Sequence, residues 1–146
     1  MIDRVDKEIL KLLQQNGRLS LKTIAEKTFL SSPAVSARIE RMENDGIILG
    51  YEAKVSPIRM GYHILAYINL NVQPEDKNKF YKYAESIPNI LECSSVTDEY
   101  SVIMKAAFES TMKLDTFLGQ LQKFGKTSTQ IVFATHVGPR GIQIQE

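Results

Sequence analysis

Leu19-Ser20-Leu21-Lys22-Thr23-Ile24-Ala25-Glu26, then Leu30-Ser31-Ser32-Pro33-Ala34-Val35-Ser36-Ala37-Arg38-Ile39-Glu40-Arg41-Met42, then Gly46-Ile47-Ile48-Leu49-Gly50-Tyr51 is the stretch that decides the fold. Leu21, Ile24 and Ala25 recur at the spacing of one helix face, and Val35, Ile39 and Met42 at that of another. Thr28 to Leu30 has room only for a turn, and Ser31 or Ser32 is placed to cap the second helix, with Pro33 in its first turn. Asp45-Gly46 supplies a helix stop, and the alternation from Ile47 to Val55 around Gly50 predicts a short hairpin, a wing. Upstream, Val5, Ile9, Leu12 and Leu13 follow the candidate cap Asp3 at helical spacing, and Asn16-Gly17 ends that helix. Three helices and a wing make a winged helix-turn-helix, an architecture that reads DNA.

With the apolar stripe turned inward, Ser32, Pro33, Ser36, Ala37, Glu40 and Arg41 face outward, and side chains this small let a helix approach the floor of a major groove. The candidate DNA contacts are Ser31, Ser32, Pro33, Ser36, Ala37 and Arg41, with Lys22 and Lys54 as phosphate partners. Arg38 borders the stripe and reaches either a phosphate or a neighbouring carboxylate. The charge balance is nearly even: the formal net charge is +1, and the residues through Val55 carry nine Lys/Arg against eight Asp/Glu. DNA binding therefore requires the basic groups to gather on one face, and it gains from oligomerisation.

Ser56-Pro57 breaks the pattern, and Ile58 to Gly61 reads as a connector, which divides the chain into a head over 1–55, a linker over 56–61 and a second domain over 62–146. From Tyr62 the period becomes two, with Ile64, Ala66, Ile68, Leu70 and Val72 in phase. A helix follows Pro74-Glu75, bearing Phe80, Tyr83, Ala84 and Ile87. Ile90–Val96 and Tyr100–Phe108 read as a hairpin around Thr97-Asp98-Glu99. A helix behind Ser110 carries Leu114, Phe117, Leu118, Leu121 and Phe124 as far as Gly125, and Ile131–Val137 reads as the last strand. Strand, helix, strand, strand, helix, strand is the split βαβ order, so the fold class is α+β, with a ferredoxin-like βαββαβ domain behind the winged head. Both helices fall on one face of the sheet. The other face, expected to carry Leu65, Tyr67, Ile103, Ala107, Val132 and Ala134, is apolar enough to call for a partner, and a second copy is the simplest one.

Several function classes are disfavoured. No apolar run approaches the roughly 20 residues of a membrane span, and the first residues alternate in charge without a signal-peptide core, so a cytoplasmic protein is expected. The single cysteine, Cys93, leaves no disulfide framework, and His63 and His136 lie at odd spacing from any ligand set, so neither a metal nor another cofactor is expected. No phosphate-binding loop, dinucleotide fingerprint, nucleophile elbow or HExxH motif occurs, and catalysis is not expected.

Over essentially its whole length the chain resembles the Lrp/AsnC family of feast/famine regulators. In the head the resemblance rests on Asp3-x-x-Asp6-x-x-Ile9-Leu10-x-x-Leu13-Gln14-x-Asn16-Gly17-Arg18-x-Ser20, on Ile24-Ala25 and Leu30-Ser31, and on Val35-x-x-Arg38-Ile39-x-x-Met42-Glu43-x-x-Gly46-Ile47-Ile48-x-Gly50-Tyr51. In the second half it rests on Pro88-Asn89-Ile90, Val96-Thr97 and Thr127-Ser128-Thr129-x-Ile131-Val132. The resemblance implies a homodimer, commonly assembled into rings such as octamers, that binds double-stranded DNA and in many members senses an amino acid. It places the effector at Thr97, Asp98, Tyr100 and Ser101, with Thr127, Thr129 and Ile131 opposite. The family turn usually reads Gly-x-x-Asp, whereas this chain has Asp98-Glu99-Tyr100-Ser101. Asp98 either stands in as partner for the ligand's ammonium or fills the space the ligand needs. Two other readings share the fold: an effector-independent architectural protein of the nucleoid, and an enzyme resembling the siroheme decarboxylases.

Overall fold

A computed structural model describes all residues from Met1 to Glu146. The chain forms two units, one made of Met1–Lys54 with Gly138–Glu146, the other of Val55–Val137. No helix is long and apolar enough to cross a membrane.

The first unit holds α1 (Arg4–Gln15), α2 (Leu21–Thr28) and α3 (Ser32–Asn44). Each helix begins where a side chain can satisfy its free N–H groups. Asp3 forms a reciprocal capping box with Asp6, Ser20 accepts from the Thr23 amide at 3.1 Å, and Ser31 accepts from the Ala34 amide at 3.3 Å. Ser31 is thus the cap of α3, and Ser32 its first residue. Phe29, left-handed at φ 57°, ends α2. Ile9, Ile24, Ala25, Val35 and Met42 are buried together, ringed by half-buried Val5, Leu13, Leu30 and Ile39.

The expected wing is not a hairpin: no strand is formed between Ile47 and Val55. The amides of Ile47 and Ile48 both donate to the Met42 carbonyl, which binds the would-be first arm to the end of α3, and the Tyr51 hydroxyl donates to Glu43 at 2.9 Å. Those two amides are thereby lost to a cross-strand ladder. The C-terminal residues also depart from expectation. They return to the first unit, where the Ile142 carbonyl accepts from Gln14 Nε2 at 3.2 Å. Ile142 and Ile144 there line an apolar groove with Leu10, Leu13 and Leu49.

The second unit contains β1 (Ile64–Val72), α4 (Lys77–Glu85), β2 (Ile90–Ser95), β3 (Val102–Phe108), α5 (Thr111–Leu121) and β4 (Gly125–Ile131). The antiparallel sheet has the order β2-β3-β1-β4. Register places Ile68 opposite Met104 and Leu70 opposite Val102, and these inner residues are buried with Phe80, Leu114, Phe117 and Phe124 from the helical layer.

The last strand starts six residues earlier than the apolar run Ile131–Val137 suggests. It is the polar stretch Gly125–Ile131, an edge strand whose ladder with β1 runs from Gly125–Val72 to Ile131–Ala66. An edge strand with one open side tolerates Thr, Ser and Gln, so its sequence carries little apolar signal. Gly125 sets its start: at φ 154°, a Cβ there would lie 1.8 Å from the Asn71 carbonyl oxygen, a distance no side chain can occupy. Beyond Ile131 only the Val132 amide reaches β1, at the Leu65 carbonyl, and Phe133 is fully exposed, so Ala134 takes no place on the sheet. The bare face is therefore more mixed than expected. Leu65, Tyr67 and Ile103 lie there as anticipated and Ala107 shares their phase but is buried, while the register adds Asn69, Lys105, Ser128 and Gln130 beside them.

Candidate functional site

The outer face of α3 is the first candidate surface. Pro33, Ser36, Ala37 and Glu40 are exposed, while Val35 and Met42 on the opposite side are fully buried. The turn from α2 and the Ser31 cap bring these small residues forward without a long side chain among them other than Glu40. Lys22, near the start of α2, and Lys54, in the irregular segment after α3, are both exposed, and neither has a carboxylate within ion-pair distance.

The two arginines of α3 are placed differently from the lysines. Arg38 Nη1 lies 2.8 Å from Asp6 Oδ1 and 2.6 Å from Asp3 Oδ2, and Arg41 Nη2 lies 2.5 Å from Asp6 Oδ2. The Asp6 side chain is fully buried, and its Oδ2 also accepts from the Asp3 amide at 2.9 Å. Burial alone would raise the Asp6 carboxyl, but the Asp3 amide and the two guanidinium groups outweigh it and hold the group below its ordinary value. Asp3 is held at about 2, chiefly by Arg38 and then by the Asp6 amide. Of the two ends that the sequence leaves open for Arg38, the structure takes the carboxylate. Arg41, expected on the groove face, is drawn to the same carboxylate. Asp6 is the functional residue that sequence reasoning missed: its partners lie 32 and 35 residues away, and only its place in the capping box is a local signal.

The second candidate surface is the β2–β3 turn. Thr97 and Asp98 are exposed, Tyr100 and Ser101 half-buried, and the Asp98 carboxylate accepts from the neighbouring Glu99 amide at 2.7 Å. Ser101 is already engaged. Its Oγ accepts from the Val72 amide at 3.1 Å, tying the end of β1 to the start of β3. Thr127 and Thr129 are half-buried on β4, paired with Leu70 and Ile68, and Ile131 ends the same strand. Within one chain β1 separates β4 from β3, so the structure does not bring the two halves of the expected effector site together. His63 and His136 are exposed, and no group of three His, Cys, Asp or Glu is arranged to hold a metal ion.

Two family models match the sequence: a winged helix-turn-helix DNA-binding domain over residues 2–48 and the Lrp/AsnC ligand binding domain over residues 65–142. The chain belongs to the Lrp/AsnC family. It is 32% identical over 143 residues to the HTH-type transcriptional regulator FL11 of Pyrococcus furiosus, covering 93% of this chain and 92% of that one. The structure of AsnC from Escherichia coli superposes with a TM-score of 0.87 at 27% identity, covering 97% of this chain and 98% of that one. A feast or famine regulatory protein from Mycobacterium tuberculosis, solved in complex with L-methionine, superposes with a TM-score of 0.90 at 25% identity, covering 99% and 100%. The protein is thus a DNA-binding transcriptional regulator of the Lrp/AsnC type.

Proposed function

We propose that this Lrp/AsnC regulator binds specific double-stranded DNA as a homodimer, with Ser32, Pro33, Ser36 and Ala37 of α3 in the major groove and Lys22 and Lys54 on phosphates. The observation that carries the reading is the patch of small residues on the outer face of α3, where Pro33, Ser36 and Ala37 are exposed and Ser32 is half-buried beside them. A groove-reading helix needs that clearance. The dimer joins through the bare sheet face around Tyr67 and Ile103, and dimers assemble further into rings. A homodimer presents two heads to a two-fold site, which compensates for a head whose charges nearly cancel. DNA as partner places its work in the cytoplasm, and no residue is assigned a catalytic step.

The second unit binds a free amino acid at the β2–β3 turn, with Asp98 holding the ammonium group and Thr127, Thr129 and Ile131 supplied by a neighbouring copy. The methionine complex of the Mycobacterium tuberculosis relative supports this. A second reading, regulation without an effector, is favoured by Ser101, whose hydroxyl is spent on Val72, and by Asp98, which already accepts an amide of its own turn.

Fluorescence anisotropy tests both readings, using the duplex upstream of the chain's own gene against a scrambled duplex of equal composition, with and without pooled amino acids. Preferential binding that shifts with amino acids is the expected result. Preference without a shift selects the effector-independent reading, and equal binding to both duplexes overturns sequence-specific recognition.

A further inference from the structure

We infer that Asp6 is a specificity-determining residue for DNA reading: it holds Arg38 and Arg41 off the DNA backbone, so that α3 discriminates sequence without two added phosphate contacts. The inference rests on the placement of α3 in the groove proposed above.

The argument starts from the arginines. Phosphate contacts by Lys and Arg raise affinity for every duplex alike and carry no sequence information. Two arginines on a recognition helix are therefore a liability to discrimination unless something restrains them. Here both are restrained by one carboxylate. Asp6 Oδ1 takes Arg38 and Oδ2 takes Arg41, and Asp3 adds a second acceptor for Arg38. Two carboxylates against two guanidinium groups leave the cluster with no net charge.

Burial makes the restraint one-sided. The Asp6 side chain is fully enclosed and cannot follow the arginines toward a ligand, whereas the side chains of Arg38 and Arg41 remain 28% and 46% exposed. For Arg41 to reach a phosphate it must abandon a carboxylate that has no access to water, and that is costly. Arg4, Lys7, Arg18, Lys22, Lys27 and Lys54 are not held in this way, since none has a carboxylate within 4.0 Å. The cations open to the backbone thus lie off α3, and α3 keeps its small residues for the bases.

The substitution Asp6→Asn isolates the charge. An asparagine oxygen still accepts from the Asp3 amide, so the cap of α1 is kept while the guanidinium groups lose their full counter-charge. The experiment measures anisotropy of the full chain on its own upstream duplex and on the scrambled duplex across a salt series. In the wild type, Arg41→Gln is expected to leave the slope of log K against log salt unchanged. Asp6→Asn is expected to steepen that slope by about one to two, close to 0.9 for each released arginine that finds a phosphate. It tightens scrambled-duplex binding more than specific binding and so lowers the specificity ratio. Adding Arg41→Gln to Asp6→Asn is expected to remove about one unit of the added slope.

A slope that flattens by about one on Arg41→Gln in the wild type overturns the inference, because Arg41 is then already on a phosphate. An unchanged slope in folded Asp6→Asn overturns it as well. If Asp6→Asn does not fold, the Arg41→Gln arm alone decides. Absence of wild-type binding to either duplex instead overturns the placement of α3 on DNA, and the inference falls with it.

Discussion

Asp6 joins two requirements in one side chain, closing the cap of α1 and anchoring both arginines of α3. Its consequences for stability have a definite sign. Asp3 is held at about 2 by Arg38 and the Asp6 amide, and Asp6 is also held below the ordinary carboxylate value of 3.8. A depressed carboxylate favours the folded state when charged, so its contribution is complete above 3.8 and is lost as the pH falls toward about 2. We therefore expect Asp6→Asn to cost about 2 kcal/mol at neutral pH, less than for a fully enclosed ion pair because both guanidinium groups reach solvent. Urea unfolding of variant and wild type at pH 7, 4 and 2.5 checks this. The gap between them is expected to narrow at the lowest pH, and a gap independent of pH would show that charge is not the cause. The sequence shows the Asp3 cap and leaves a carboxylate open to Arg38, but not that Asp6 is the carboxylate or that Arg41 shares it. Capping and helical spacing are local signals, whereas the ion pairs span more than 30 residues and depend on how α1 meets α3.

At the scale of elements, the sequence was readable where period and cap agree. α1 begins at the expected cap Asp3 and α3 at Ser31, one of the two serines the sequence offers, because each is fixed by groups within a few residues, and α2 begins at Ser20 by the same local chemistry. The wing and the last strand were misread for a shared reason. A period of two shows which side chains alternate, but not whether a partner strand exists. Ile47 to Val55 alternates and pairs with nothing, while Lys126 to Gln130 is polar throughout and forms a full ladder with β1. What positions β4 is steric. The Asn71 carbonyl approaches Gly125 so closely that Gly125→Ala forces the strand start away from β1, at an expected cost of about 3 kcal/mol. A lowered urea midpoint with faster amide exchange at Asn71 and Lys126 is the expected signature. A wild-type midpoint would mean that the β4 start tolerates a side chain.

At the scale of the whole molecule, the question is how a chain with a net charge of +1 binds DNA and how it would respond to the proposed effector. In the proposed reading both answers run through a second copy. The bare sheet face holds Tyr67, Ile103 and Leu65 among polar neighbours, so a single charge at its centre is enough to break a face-to-face pairing. Ile103→Glu is expected to lower the sedimenting mass and to weaken DNA binding at least tenfold, through loss of the linked second head. An unchanged mass would move the dimer interface elsewhere.

The proposed effector site would need that assembly too, since Asp98 lies in the β2–β3 turn and the half-buried Thr127 and Thr129 stand on β4, with β1 between β3 and β4 within one chain. Asp98 bonds only its own turn, through the Glu99 amide, so its removal disturbs no distant packing. Asp98→Ala is accordingly expected to leave the urea midpoint and the ligand-free DNA affinity within error of wild type. The amino-acid-induced shift in anisotropy is expected to disappear, because the ammonium group loses its only carboxylate in the turn besides Glu99. A full shift in Asp98→Ala would place the ammonium elsewhere. A shift that first appears only in the variant would show that the aspartate fills the space a ligand needs, and that the wild-type regulator works without an effector.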